Sequence, residues 1–341
     1  MAGDAGHFYW PPPDASGKRG NAMVEAPSDN RAGDERLAVF ATLRDFFRYA
    51  VSRFNAAGLA YGHGATNAVD EAAFVVLEAL RLPIDALDPF LDAALTLEER
   101  VRLLELIDAR VATRKPAAYL LNRAYIQGVP FYVDERVIVP RSFIGELLFG
   151  GLVGEGSLIE NPDSIMSALD LCAGGGSLAI LAAMKFVNAR IDAVELSADA
   201  LAVARRNVAE HDLSDRITLI EGDLFAPLGA KRYDLILANP PYVDAESLAA
   251  FPPEYAAEPR LAHSGGRDGL DVVRRILAEA PAHLTPEGAL VCEVGRGRAR
   301  LEAEFPRLPL LWLDAEESEG EVFFVRAADL AQPSRGGKRR A

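Results

Sequence analysis

Cysteine is scarce: Cys172 and Cys292 are the only two among 341 residues, too few for a disulfide framework. Each sits in an apolar, strand-like run, where a small buried thiol is the expected role. Positive charge is also in deficit, with 36 Lys and Arg against 50 Asp and Glu and a formal net charge of −14. A protein that wraps nucleic acid needs a basic face for the phosphates, so direct nucleic-acid binding is not expected. A basic protein partner is compatible with the acidic balance. The five histidines are scattered, and neither they nor the cysteines have metal-ligand spacing. No apolar run reaches the roughly 18 residues of a membrane helix. The N-terminus lacks a basic segment followed by an apolar core, so no secretory leader is expected. These absences predict a metal-free chain working in a reducing cytoplasm.

What is present divides into segments. Residues 1–33 read as a disordered tail, with Pro11-Pro12-Pro13 and many small polar residues. His7-Phe8-Tyr9-Trp10 reads as a docking motif or as an unstructured start, and Met23 is an alternative start. From residue 34 to 118 the pattern is helical. Leu37, Phe40, Phe47, Val51 and Phe54 recur near helical spacing up to Gly58. Asn67 can cap a helix carrying Phe74, Leu77 and Leu80, which ends before Pro83. Thr96 and Glu99 have capping-box spacing ahead of Val101, Leu104, Ile107 and Val111. This segment is expected to be a helical domain for packing or substrate recognition. Residues 119–141 read as a β-hairpin linker: Tyr125, Gln127, Val137 and Val139 alternate, and Asp134-Glu135-Arg136 supplies the turn.

Residues 142–330 then alternate strand and helix. Strands are predicted at 168–172, 191–196, 217–220, 233–238 and 289–294, with helices at 178–187, 198–211, 270–284 and 298–305. The runs 310–313 and 322–325 have no helix between them and suggest an antiparallel hairpin closing a parallel sheet. The fold class is α/β, an open sheet that binds ligands beyond its strand C-termini. Residues 331–341, with Arg335, Lys338, Arg339 and Arg340, read as a basic disordered tail.

Three successive strand ends carry chemistry. Asp170-Leu171-Cys172-Ala173-Gly174-Gly175-Gly176 joins a strand to a helix, where glycine lets the backbone turn sharply and a ligand approach closely. Glu195 ends the next strand, where a carboxylate can accept from both hydroxyls of a ribose. Glu221-Gly222-Asp223 ends the third, where Asp223 can accept from an adenine amine beside Leu224. The bland alternative is a glycine turn flanked by surface carboxylates, but the ordered triple favours a nucleoside. NAD is a rival cofactor; Ala179 stands where a GxGxxG loop would place its last glycine, which is not decisive.

The fourth strand decides. Asn239-Pro240-Pro241-Tyr242 follows Asp234 to Ala238. Paired prolines could simply end a strand, yet the chemistry accounts for each residue. A planar NH2 group has a delocalised lone pair and is a poor nucleophile. The Asn239 side-chain oxygen and the Pro240 carbonyl can each accept one N–H, fixing the group and favouring lone-pair density towards a methyl donor. Proline keeps the turn rigid, and Tyr242 offers a flat face to a flat substrate. In-line displacement from a sulfonium then needs positioning more than a strong base. Asn239, Pro240 and Tyr242 are the expected catalytic residues, and S-adenosylmethionine is the expected cofactor.

On these motifs the chain resembles the protein-glutamine N5-methyltransferases, the HemK-like family, over residues 37–327. The resemblance implies a seven-stranded class I methyltransferase domain behind a helical domain and a hairpin. It implies cofactor contacts from Asp170, Cys172, Ala173, Gly174, Gly176, Glu195, Asp223, Leu224 and Asn239. It also implies a glutamine-amide clamp at Asn239, Pro240, Pro241 and Tyr242. Glu258-Pro259, Gly265-Gly266, Asp268-Gly269-Leu270-Asp271 and Arg274-Arg275 match the family too. One branch modifies peptide chain release factors and the other large-subunit ribosomal protein three. Release-factor enzymes usually read Pro-Arg-Pro-Glu-Thr-Glu after the hairpin. Here the segment is Pro140-Arg141-Ser142-Phe143-Ile144-Gly145-Glu146, similar to the ribosomal-protein branch, with Arg141 an expected substrate contact. Phe131 to Arg136 and Cys172 point the same way. The rivals are a DNA amino-methyltransferase, disfavoured by the missing basic cleft, and a non-enzymatic ribosome assembly factor that only binds cofactor.

Overall fold

The computed structural model describes residues 35–316 and 318–330; the tails expected at 1–33 and 331–341 lie outside the described residues. The chain opens with helices α1 (Glu35–Val39), α2 (Leu43–Ala56), α3 (Ala68–Leu80), α4 (Leu97–Thr113) and α5 (Ala117–Leu121). The single run expected from Leu37 to Phe54 is broken after Val39. Asp45 accepts from the Ala41 and Thr42 amides (3.0 and 2.9 Å) and so starts α2 afresh. The buried stripe of α2 is Leu43, Phe46, Ala50 and Phe54. Phe47 and Val51, part of the periodic apolar set, are only partly buried against it. The predicted caps form: Asn67 accepts from the Val69 and Asp70 amides, and Thr96 and Glu99 bond reciprocally.

Strands β1 (Ala124–Ile126) and β2 (Val129–Phe131) make the hairpin. Its turn is Gln127-Gly128, both with positive φ (51° and 73°), the geometry a two-residue hairpin turn requires. The turn expected at Asp134-Glu135-Arg136 exists but joins no strands. Asp134 accepts from the Arg136 amide (3.0 Å) and its carbonyl from Val137 N (3.1 Å). Polar composition marked a turn correctly and misassigned what it connects.

The rest builds one sheet: α6 (Phe143–Phe149), β3 (Ser167–Leu171), α7 (Ser177–Lys185), β4 (Arg190–Glu195), α8 (Ala198–Glu210), β5 (Ile217–Glu221), β6 (Tyr233–Ala238), α9 (Ala245–Ala249), α10 (Asp271–His283), β7 (Leu284–Glu293), α11 (Arg298–Glu304), β8 (Leu311–Ala315), β9 (Ser318–Arg326) and α12 (Ala327–Leu330). Strand order is β5-β4-β3-β6-β7-β9-β8. Neighbours from β5 to β7 pair in parallel, and β9 runs antiparallel to both β7 and β8. Residue alternation sends Ala168, Ile191, Leu235, Val291 and Phe324 to the face covered by α6 and α7. Leu169, Val194, Ile236, Leu290 and Phe323 go to the face covered by α10 and α11. After β3 the chain runs outward to β5 and then returns to β6 on β3's other side. That reversal opens a crevice at the strand C-termini. Among the described residues no helix is long and apolar enough to cross a membrane.

Candidate active site

A cavity of about 650 Å³ opens there, within the size range of small-molecule sites. Its first wall is the turn after β3. Gly174 has φ +52° and open space where a side chain would stand, so it is needed for its backbone conformation. Its amide donates to Glu195 Oε2 (2.8 Å), while Glu195 Oε1 accepts from Ser197 N (2.9 Å). A carboxylate oxygen can accept twice, so both oxygens keep capacity for a further donor. Asn207 on α8 donates to the Gly175 carbonyl (2.8 Å) and brackets the Tyr132 backbone, tying this turn to the chain leaving the hairpin.

Asp170 is buried beneath the turn. Its Oδ2 accepts from Ala179 N (2.9 Å) and its Oδ1 has no partner among the described residues. Burial pushes this carboxyl up to about 8. Cys172, expected to be a buried thiol, is instead partly exposed on the cavity wall. It takes φ +59° because it begins the turn rather than ending the strand. Cys292 is buried as expected. Ala173 and Leu224 also line the cavity, whereas Gly176, just past the turn, packs against Ala204. Asp223 lies on the rim, exposed, with both oxygens 3.0 Å from the Arg275 guanidinium; an adenine amine would share it with that arginine.

The second wall follows β6. The Asn239 carboxamide donates through Nδ2 to the Arg141 carbonyl (3.3 Å). A carbonyl only accepts, so the amide nitrogen is the atom turned to it and Oδ1 is the atom left over. Pro240 is buried, and Pro241 and Tyr242 line the cavity. Tyr242 donates its hydroxyl to Glu293 Oε1 (2.9 Å). The backbone of the turn is gripped from beside it: Val243 N donates to the His263 carbonyl (2.9 Å) and Gly265 N to that of Val243 (3.0 Å). A side chain at Gly269 would come within 2.4 Å of the Tyr242 carbonyl, which explains that glycine. Arg141, expected at the substrate, points both terminal nitrogens at Glu258 (2.8 Å each).

Two buried carboxylates support this wall: the sequence does not single out Glu293, and it marks Glu258 only within a run that matches the family. Glu293, the last residue of β7, accepts from Ser142 Oγ (2.8 Å), Phe143 N (3.1 Å) and Tyr242. Burial pushes it up to about 7, against the pull of those hydrogen bonds. Its position was a usable signal: it ends the strand next to β6, at the ligand-binding edge. Glu258 sits in an irregular loop with no periodicity to mark it. Burial alone would raise its carboxyl, but the Arg141 guanidinium, with His263 and His63 beside it, outweighs that and holds it far below the usual range.

The methyltransferase small domain family matches residues 156–251, the stretch that holds the glycine turn, Glu195 and the Asn239 turn. Fold and cavity together define an S-adenosylmethionine-dependent methyltransferase. Proteins named ribosomal protein uL3 glutamine methyltransferase are similar along most of the chain. That of Bradyrhizobium diazoefficiens is 63% identical over 292 residues, covering 85% of this chain and 92% of its own. Those of Burkholderia pseudomallei and Bordetella pertussis are 53% and 54% identical over 298 and 289 residues, each covering 85% of this chain and 96% of the relative. The chain belongs to the ribosomal protein uL3 glutamine methyltransferase family.

Proposed function

We propose that the protein methylates the side-chain amide nitrogen of one glutamine in ribosomal protein uL3, in the cytoplasm and before uL3 is assembled. The observation that carries this is the Asn239 carboxamide, oriented by the Arg141 carbonyl so that an acceptor oxygen remains in a cavity whose other wall suits a nucleoside. The residues present fit S-adenosylmethionine. The backbone from Cys172 to Gly175 and Leu224 would frame it, and Glu195 has acceptor capacity for ribose hydroxyls. Asp170 has one buried oxygen without a partner among the described residues, while Asp223 and Asn239 stand at the two ends. Bound there, the cofactor supplies an electrophilic methyl group on a sulfonium.

The chain's own contribution is positioning. Asn239 Oδ1 and the Pro240 carbonyl would take the two N–H bonds of the substrate amide, leaving its lone pair facing the methyl donor. Pro241 stiffens the turn, and Tyr242, held at its hydroxyl by Glu293, sets the height of the amide plane. No strong base is required when geometry supplies most of the rate. We further assign residues 34–118 to substrate recognition and 119–141 to the linker that leads into the catalytic part at 142–330.

The test is a competition between equal amounts of unassembled uL3 and a release factor, with labelled cofactor and peptide mapping of the product. Label on one uL3 glutamine is the expected outcome. Label mainly on the release factor would overturn the target and leave the reaction class standing, and no label on either would favour a non-enzymatic assembly factor.

A further inference from the structure

Glu258 is fully buried, takes hydrogen bonds from Val139 and Arg141, and lies within ion-pair distance of His263 and His63. Val139 N (2.9 Å) and Arg141 Nη1 (2.8 Å) reach Oε1, and Arg141 Nη2 (2.8 Å) reaches Oε2. His263 Nε2 lies 2.9 Å from Oε2 and His63 Nε2 3.5 Å from it. Arg141 and His263 lead to two parts of the proposed clamp, and His63 leads to the helical segment. The Arg141 carbonyl is the acceptor that turns Asn239. The His263 carbonyl accepts from Val243, the residue after Tyr242. His63 belongs to the helical segment, which grips the same loop again at Glu254, where Ala60 N (3.0 Å) and Arg114 (2.6 Å) converge.

A carboxamide is nearly symmetric in shape. Flipped over, Asn239 would present its NH2 to the substrate NH2 and repel it. Nothing in the side chain itself selects one orientation; a fixed acceptor must. The Arg141 carbonyl is fixed because the chain from Val139 to Arg141 is held at both ends by one carboxylate. We propose that Glu258 is a positioning residue for the amide clamp. It sets the orientation of Asn239 through Arg141 and, through His63, makes that orientation depend on the seating of the helical segment. This rests on the reading of Asn239 as the amide acceptor.

The test uses the full chain, unassembled uL3 and single-turnover kinetics, with affinity for S-adenosylhomocysteine measured by calorimetry. Glu258→Gln is expected to slow methyl transfer about 10- to 100-fold, the scale of a small misplacement at the reacting centre. Affinity for S-adenosylhomocysteine should stay within about twofold, since only the transition-state interaction is lost. Asn239→Asp keeps an acceptor oxygen but cannot donate to the Arg141 carbonyl, so it cuts the link through which Glu258 acts. In that background Glu258→Gln should cost less than about twofold, the non-additivity of residues acting in series. An equal loss in both backgrounds, or no loss in either, would overturn the proposal. If Glu258→Gln does not fold, Arg141→Lys, which keeps the charge and gives up the two-pronged grip, should show the same pattern. Normal turnover in Asn239→Ala would instead remove the clamp reading itself.

Discussion

The wall that would hold the nucleoside is assembled between Asp170 and Leu224, from a glycine turn and the ends of two adjacent strands. The clamp wall is assembled from Val139 to Arg141, the turn at 239–242, Glu258, His263 and Glu293, and it leans on His63 in the helical segment. In the first, backbone amides do most of the holding, as where Gly174 N meets Glu195. In the second, buried charges do, as where Arg141 meets Glu258 across 117 residues of sequence. The Gly174–Glu195 bond joins the ends of two adjacent paired strands and forms once those strands pair. Long-range buried charges form only when the whole molecule is in register, because an unpaired partner is strongly destabilising. Cofactor binding should therefore tolerate damage that abolishes transfer.

Asn239→Ala breaks this comparison most directly. It deletes an acceptor that acts on the nucleophile, so turnover should fall about 100-fold or more, while affinity for S-adenosylhomocysteine stays nearly intact. Turnover assays beside calorimetry check both halves; near-normal turnover would make the turn merely structural. Glu195→Ala strikes the other wall. It removes the ribose acceptor and also releases Gly174 and Ser197, so binding should weaken by about 1.5–3 kcal/mol. At saturating cofactor the rate should recover much of its value, the reverse of the Asn239 pattern. Unchanged affinity would remove the role assigned to Glu195.

The same division governs what could be read from sequence. Features whose partners lie within a few residues were legible. Asn67 caps its helix, Thr96 and Glu99 form their box, and β6 occupies the six residues expected. The antiparallel closure at β9 and β8 followed from two strand patterns with no helix between. Features decided by distant partners were not. Nothing near Glu258 in the chain announces Arg141 or His63. Glu293 is an ordinary strand-end residue until Ser142 and Tyr242 arrive beside it. The hairpin turn was misplaced for a local reason: Gln127-Gly128 has one glycine where Asp134-Glu135-Arg136 has three charged residues, and charge outweighed the backbone requirement. The strand pattern alone puts Cys172 at a buried strand end, whereas it starts the turn; its place on the cavity wall follows from the family resemblance.

The smallest effect on transfer is expected from Glu293→Gln, which sharpens the comparison by separating charge from shape. Ser142 Oγ and Phe143 N both meet Oε2, so an amide oxygen can take that place. The amide nitrogen then stands at Oε1 and donates to the Tyr242 oxygen, reversing the direction of the present bond. The ring stays anchored and transfer continues. What changes is the dependence of stability on pH. Burial lifts the Glu293 carboxyl from 4.5 to about 7, so in between the folded protein holds a proton that the unfolded chain has released. The stabilisation is complete below 4.5 and is lost as pH rises through 7. Asp170, lifted to about 8 by burial, adds a loss of the same sign over a wider range. Glu258, held low, acts oppositely: its stabilisation is present above 4.5 and fades only on further acidification. Denaturant unfolding at pH 5, 6, 7 and 8 should therefore show the Glu293→Gln protein gaining on the parent as pH rises. The variant keeps the shallower decline due to Asp170. Two parallel profiles would mean that Glu293 is already ionised throughout this range and that hydrogen bonds, rather than burial, govern it.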